Sequence, residues 1–296
     1  MDWLQRMNGA ISYIEENLAG DIDFEEAAKI ACCSSYHFQR MFSFITDVPM
    51  SEYIRRRRLT MAAFELQNST IKIIDLALKY GYDSPNSFTR AFQNLHGVTP
   101  TSARDRGVEL KAYPRISFHI SIKGDVEMNY RIEEKGSFKV LGVEEIIETT
   151  NGSNFIRIPK FWEESFENGT IDRLDKITVA SPIKGLCNSN AIMCYRHTGE
   201  NTFPYMIGVI DFEGSTAVPE DLVSVEVPPF TWVIFRTEEH EPSETTEKIQ
   251  AIWKRIFPEW FPNSGYEHAP GPDLELYYES GEDRCYSEVW IPVVKK

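Results

Sequence analysis

Residues 35–45 read SYHFQRMFSFI, and residues 85–95, fifty positions later, read PNSFTRAFQNL. The two stretches are helices of one design. Phe38, Met41, Phe42 and Ile45 fall on one face of the first, and Phe88, Ala91, Phe92 and Leu95 fall on the same face of the second. At about 100° per residue, Tyr36, Gln39, Arg40 and Ser43 point the other way, as do Asn86, Thr89, Arg90 and Gln93. Arg40 and Arg90 hold the same place in the two copies. Each copy follows a shorter helical stretch (residues 25–31 and 73–80) and a tight break, marked in the second by Gly81. Each precedes a proline, Pro49 or Pro100. A duplicated helix–break–helix with a polar second helix is the pattern of paired helix-turn-helix units.

The neighbouring sequence extends this pattern. Leu4, Met7, Ile11, Ile14 and Leu18 form the apolar stripe of a first helix closed by Gly20, and Asp23 is placed to cap residues 24–31. Residues 51–67 form a long helix around Ile54, Leu59, Ala62, Ala63 and Leu66. Such a rod would hold two recognition helices about one DNA turn (~34 Å) apart. From the major groove, arginine bonds guanine bidentately, and glutamine or asparagine bonds adenine. The bland alternative is a helical bundle with merely soluble outer faces, and two copies in register argue against it. The run Arg55–Arg58 spans more than one helical turn, so at most one or two of the four face a duplex. The others are solvated or pair with acids such as Glu52.

Composition is that of an ordinary globular chain: 296 residues, 42% hydrophobic and 26% charged. At about 150 residues per domain, that length argues for two domains. Disorder is excluded, and no run approaches the roughly 18–20 apolar residues of a membrane helix. The opening Met1-Asp2-Trp3-Leu4 lacks the basic and apolar regions of a signal peptide. Five cysteines, none in CxxC spacing, read as reduced thiols in a cytoplasm. The net charge of −14 is unevenly spread, −2 over residues 1–110 and −12 over 111–296. The total therefore says nothing against nucleic-acid binding by the first segment.

After Pro100 the helical period gives way to strands. Ile116, Phe118, Ile120 and Ile122 alternate, residues 123–125 make a turn, and 129–134 look extended. A fainter duplication follows. Strand 138–147 precedes a helix with Ile158, Phe161, Trp162 and Phe166, then strands 191–196 and 205–212. Strand 223–236, interrupted by Pro228-Pro229, precedes helix 243–257 with Ile249, Ile252, Trp253 and Ile256, then strands 274–278 and 287–293. Hairpins join the last two strands of each copy, with Gly199 and Gly281 near their turns. Two strand–helix–strand–strand units give a pseudo-twofold α+β domain. The fold class is therefore multidomain: an all-α, homeodomain-like double helix-turn-helix followed by this duplicated α+β domain.

Residues 5–106 resemble the AraC/XylS-type DNA-binding domain. The second half matches its pattern through Ala77-Leu78-Lys79-Tyr80-Gly81-Tyr82, then Ser84, Phe88, Arg90, Phe92, Gly97, Thr99 and Pro100. The resemblance implies base contacts from Tyr36, Gln39 and Arg40 in the first recognition helix and Asn86, Thr89 and Arg90 in the second. Pro85 departs from it, opening the second helix where relatives often carry a polar side chain. Proline suits a first helical turn but removes a base contact.

The second segment resembles the GyrI-like (SOUL/BmrR-type) effector-binding domain over about 165 residues. The likeness rests on repeat order, Gly142 after a strand and the ending Glu288-Val289-Trp290-Ile291-Pro292. It implies a groove between the halves that takes bulky, often cationic, aromatic compounds, with a glutamate on the last strand, here Glu288, facing the ligand. Trp290 shares its strand face, and the candidate walls are Tyr195, Tyr205, Trp232, Trp253 and Tyr278. A carboxylate among rings holds a cation by Coulomb attraction and ring quadrupoles. The first copy has Met206 where the second has Glu288, so a charged site would be one-sided.

The domains expected are 1–108 (DNA binding), 109–128 (linker and leading strand) and 129–296 (effector binding). The partners implied are double-stranded DNA, a small-molecule effector such as a lipophilic cation, and RNA polymerase, with the chain a monomer or a homodimer and no membrane involved. No cofactor and no metal are implied: Cys187, Cys194 and His197 do not complete a zinc set, and no G-x-S-x-G, phosphate-binding glycine loop or H-E-x-x-H is present. Two alternatives stay open, a small-molecule hydrolase using Glu288 with Tyr205 or Tyr195, and a protein-docking module.

Overall fold

A computed structural model describes residues 3–296 of the chain except 106, 119–126, 150–152, 180–182 and 200–201. The chain divides into two compact units, one of Met1–Ser43 and Val48–His119, the other of Ile120–Lys296 with the segment Phe44–Asp47.

The first unit is helical: α1 (Trp3–Glu16), α2 (Phe24–Ala31), α3 (Ser35–Thr46), α4 (Met50–Asn68), α5 (Ile73–Lys79) and α6 (Pro85–His96). Local chemistry sets the ends. Asp23 caps α2 by accepting from the backbone N–H groups of Glu25 and Glu26. Ser84 accepts from Ser87 N–H at the start of α6, Pro85 fills the first turn, and Gly97 closes the helix at φ 81°. Leu59, Ala62, Ala63 and Leu66 of α4 pack with Leu76, Ala77 and Tyr80 around Phe88, Phe92 and Leu95 of α6. At 1.5 Å per residue the 19 residues of α4 make a rod about 28 Å long.

The second unit is one antiparallel sheet against helices. Its elements are β1 (Tyr130–Lys135), β2 (Phe138–Glu148), α7 (Asn154–Glu167), α8 (Thr170–Leu174), β3 (Asn190–Met193), β4 (Thr202–Asp211), β5 (Val223–Val227), β6 (Phe230–Arg236), α9 (Thr245–Arg255), β7 (Tyr266–His268), β8 (Asp273–Gly281) and β9 (Arg284–Lys295). The strand order is β1-β6-β9-β8-β3-β4-β2-β5, with β7 also paired to β9. This order is a palindrome of repeats: β1, β2, β3 and β4 correspond to β5, β6, β8 and β9. The pseudo-dyad passes between β3 and β8, where Ala191 faces Glu275.

Two sequence expectations change. The extended run 223–236 is two strands, not one. Pro228-Pro229 cannot donate to a ladder and ends β5. β5 then pairs with β2 and β6 with β9, at opposite ends of the sheet. β1 does the same in the first repeat, pairing with β6. Each repeat thus gives its first strand to the other.

The alternation of Ile116 and Phe118 does not make a strand over the residues described. Phe118 exchanges backbone hydrogen bonds with the Asn8 side chain, at 2.9 Å each way, and Ile116 N–H donates to Tyr53 Oη. Helix side chains satisfy this backbone instead of a neighbouring strand. The remainder of that expected strand, with Ile120 and Ile122, lies outside the described residues.

Candidate functional site

On α6, Asn86 and Arg90 are exposed and Thr89 is partly so, while Phe88 and Phe92 are buried beneath them. The corresponding residues of α3 differ. Tyr36, Gln39 and Arg40 are buried along with Phe38, Met41 and Phe42, so α3 is covered on every side from Ser35 to Ser43.

The arginine run is absorbed within the unit. Arg55 and Arg56 both donate to Glu52, at 2.5–2.8 Å. Arg57 grips Glu15 through Nε and Nη2 and reaches the Tyr113 carbonyl. Arg58 donates to the carbonyls of Leu18 and Gly20 and so ties off the end of α1. Glu15 also accepts from Tyr53 Oη at 2.6 Å. Burial opposes the Glu15 charge, but these donors outweigh it and hold the carboxyl below its ordinary value.

In the second unit, strand alternation sorts the side chains between two faces. Tyr205 and Trp253 belong to the helix-covered face. Tyr205 Oη accepts from Trp162 Nε1 of α7 at 2.8 Å, and Trp253 Nε1 of α9 donates to Glu275 at 2.8 Å. The expectation that Tyr205 lines the same site as Glu288 is therefore corrected: Met206, not Tyr205, shares a face with Glu288. Odd and even residues of β4 point to opposite sides, and ring chemistry alone does not reveal which.

The other face carries Trp232, Tyr278, Glu288 and Trp290. Glu288 is buried yet ionically paired. Oε1 accepts from Arg131 Nη1 at 2.5 Å; Oε2 accepts from Arg131 Nη2 at 3.0 Å, Tyr278 Oη at 3.1 Å and Trp290 Nε1 at 2.9 Å. Burial first, and then the Glu288 charge, push the Tyr278 hydroxyl well above the ordinary phenol range, so it remains a donor. Burial opposes the Arg131 charge, but the hydrogen bonds to Glu288 and Glu133 prevail and keep it protonated.

Rings enclose this carboxylate. Trp290 meets Trp232 at 5.8 Å and Phe212 at 6.0 Å, and Phe138 closes the circuit at 5.1 Å from Phe212 and 6.1 Å from Trp232. Phe138 lies on β2 and Trp232 on β6, strands separated by four others, so the sheet is curled. Trp232 is fully buried, and its Nε1–H has no hydrogen-bond partner. Tyr278 stacks on Tyr286 at 4.6 Å. Tyr195 packs against the same apolar cluster but serves another carboxylate, donating to Glu144, which Arg196 also grips at 2.6 Å.

The two halves of the sheet are chemically unequal here. Matching the registers puts Val140, Cys194, Met206, Gly208 and Val223 where the other half has Trp232, Tyr278, Glu288, Trp290 and Arg131. Gly208 also permits a close strand crossing with Gly142: a methyl group on it would stand 2.5 Å from the Leu141 carbonyl oxygen. Arg131 was not foreseen. Its strand looked extended in the sequence, but nothing there disclosed β6 as its partner.

The helical unit has two helix–break–helix units in series, and the sheet unit holds a carboxylate among aromatic rings. Residues 27–106 match a helix-turn-helix domain family, and residues 131–293, more than half the chain, match the Cass2 family of integron-associated effector binding proteins. The chain belongs to the Cass2 family and carries an AraC-type helix-turn-helix domain ahead of its effector-binding domain. Among curated relatives, the HTH-type transcriptional activator AarP of Providencia stuartii is 40% identical over 92 residues, 31% of this chain and 68% of AarP. The regulatory protein SoxS of Salmonella typhimurium is 35% identical over 106 residues, 36% of this chain and 99% of SoxS. Among solved structures, SAV2435 bound to tetraphenylphosphonium is 19% identical with a TM-score of 0.45, covering 56% of this chain and 94% of that one. The protein is thus a DNA-binding transcriptional regulator with an effector-binding domain. None of its described helices is long and apolar enough to cross a membrane.

Proposed function

We propose that this is a one-component, cytoplasmic regulator in which residues 1–108 bind an asymmetric DNA site, 109–128 connect the two domains, and 129–296 bind a small aromatic or cationic effector. Asn86, Thr89 and Arg90 read one block of the site from α6. Tyr36, Gln39 and Arg40, buried in this structure, read the other from α3 when the chain takes an arrangement that uncovers them. One chain carries both readers, so it acts as a monomer or a homodimer, with RNA polymerase as its further partner. The effector alters DNA binding by favouring one arrangement of the chain over another.

The observation that carries the effector reading is Glu288, a buried carboxylate held by Tyr278 and Trp290 among aromatic rings. Rings and a desolvated anion together favour a bulky organic cation. Trp232, with its unpartnered Nε1–H, supplies a further donor.

The test is a titration of tetraphenylphosphonium into the full chain bound to its selected duplex. DNA affinity should shift in the wild type and hold constant in Glu288→Gln. Equal responses from both would remove Glu288 from the effector site. Turnover of a substrate lost in Glu288→Gln with binding retained would favour the enzyme.

A further inference from the structure

The effector site already contains cations, and they belong to this chain. Arg131 chelates Glu288. Lys135, four residues along β1, lies with Nζ 5.6 Å over the Trp290 ring. Arg236 of β6 lies with its guanidinium carbon 3.8 Å over the Tyr286 ring that stacks on Tyr278. The carboxylate and two of the rings through which a cation would be recognised are thus each met by a basic side chain.

We propose that Arg131 is an intramolecular competitor for the effector site, and that a lipophilic cation binds by taking its place on Glu288. This rests on the reading of the Glu288 face as that site. Three features make the exchange feasible. First, the two partners are unequally exposed: the Arg131 side chain is 42% accessible and that of Glu288 4%. The arginine can swing into water, whereas the carboxylate would be left buried and uncompensated unless another cation arrives. Second, Arg131 has somewhere to go, because its Nε already donates to Glu133 at 2.6 Å. Third, Tyr278 and Trp290 donate to Oε2 independently of Arg131, so the carboxylate keeps its position as cations exchange.

The symmetry of the fold shows that this pair is an addition to one half. The positions equivalent to Arg131 and Glu288 are Val223 and Met206. Charge stands at both positions in one half of the sheet and at neither in the other, so the scaffold does not require it. What the pair supplies is a threshold. A ligand that must displace an occupant binds more weakly by the fraction of time the site is free. Neutral aromatic compounds, which gain nothing from Glu288, escape this competition.

The test is calorimetric titration of the full chain with tetraphenylphosphonium and, separately, with neutral triphenylphosphine oxide. Arg131→Met should bind the cation about tenfold more tightly than wild type. Arg131→Lys, which keeps the charge but loses the bidentate grip, should gain several-fold and serves if Arg131→Met does not fold. The neutral compound should change less than about twofold in both. An equal gain for both compounds would mean that the substitution merely opens space, and it overturns the inference. Unchanged or weaker cation binding in a folded Arg131 variant overturns it too, while cation binding lost in Glu288→Gln would leave the site reading standing. No binding of the cation to wild type or to either Arg131 variant overturns the site reading and this inference with it.

Discussion

Glu288 and Met206 occupy the same position in the two repeats of the sheet. Glu288 faces Arg236 on one side and Leu276 on the other; Met206 faces Glu144 and Ile192 in the matching places. A duplicated scaffold has become a one-sided site, with the charge and the larger rings in one half and Val140, Gly208 and Val223 in the other.

That inequality can be tested through stability. Met206→Glu puts a carboxylate at a fully buried position whose half of the sheet has Val223 in place of the arginine. The cost should be about 3–5 kcal/mol, that of an uncompensated buried charge. Adding Val223→Arg should recover at least about 1 kcal/mol in urea melts. Strictly additive losses would show that the two positions do not communicate as Arg131 and Glu288 do.

Glu15 and Arg57 clamp α1 to α4, with Tyr53 as a second donor. Both charged side chains are only 10% exposed, so removing one strands the other. Glu15→Ala should destabilise the helical unit by about 3–5 kcal/mol in chemical denaturation. A loss below about 1 kcal/mol would class the clamp with ordinary surface pairs.

His96 gives the helical unit a pH limit. Its Nδ1 accepts from Lys111 N–H at 3.2 Å and its Nε2 lies 3.2 Å from the Leu59 carbonyl, which fits the neutral ring with its proton on Nε2. Burial is the main cause of its depressed pKa, and the Lys111 charge adds to the effect. Above about pH 6.5, the ordinary value, the ring is neutral folded or unfolded and its stabilising contribution is complete. As pH falls through 6.5 towards the lower folded value, the unfolded chain takes up the proton first and stability is lost, by about 1.4 kcal/mol for each unit of depression. Melting temperatures of the wild type should fall more steeply between pH 7.5 and 5.5 than those of His96→Gln. Parallel curves would remove His96 as the cause.

Arg90 is the exposed arginine of α6. Arg90→Ala should cost about 1–3 kcal/mol on the preferred duplex and relax base preference in one block only. A uniform loss on all sequences, with a shallower salt dependence, would make it a phosphate contact instead.

Much of this was legible in the sequence because its periodicities are local. The Phe38/Phe88 repeat, the Asp23 cap and Pro85 in a first helical turn are set by neighbouring residues, without reference to distant ones. Glu288 and Trp290 could be placed on one face because they are two apart on a strand. Long-range pairing was not legible. Pro228-Pro229 marked a break, but not that β5 and β6 would part to opposite ends of the sheet. For the same reason, Arg131 as the partner of Glu288, 157 residues away, had no signal. Nor does a helical wheel report coverage: it located the core-facing side of α3, while the structure buries Tyr36, Gln39 and Arg40 as well.

Selection from random duplex DNA with the full-length chain, repeated with Arg40→Ala and Arg90→Ala, tests the regulator most directly. One asymmetric motif of two blocks about one helical turn apart should be enriched, each block weakened by its own substitution. Failure to enrich any motif at low or moderate salt, with or without tetraphenylphosphonium, would contradict it.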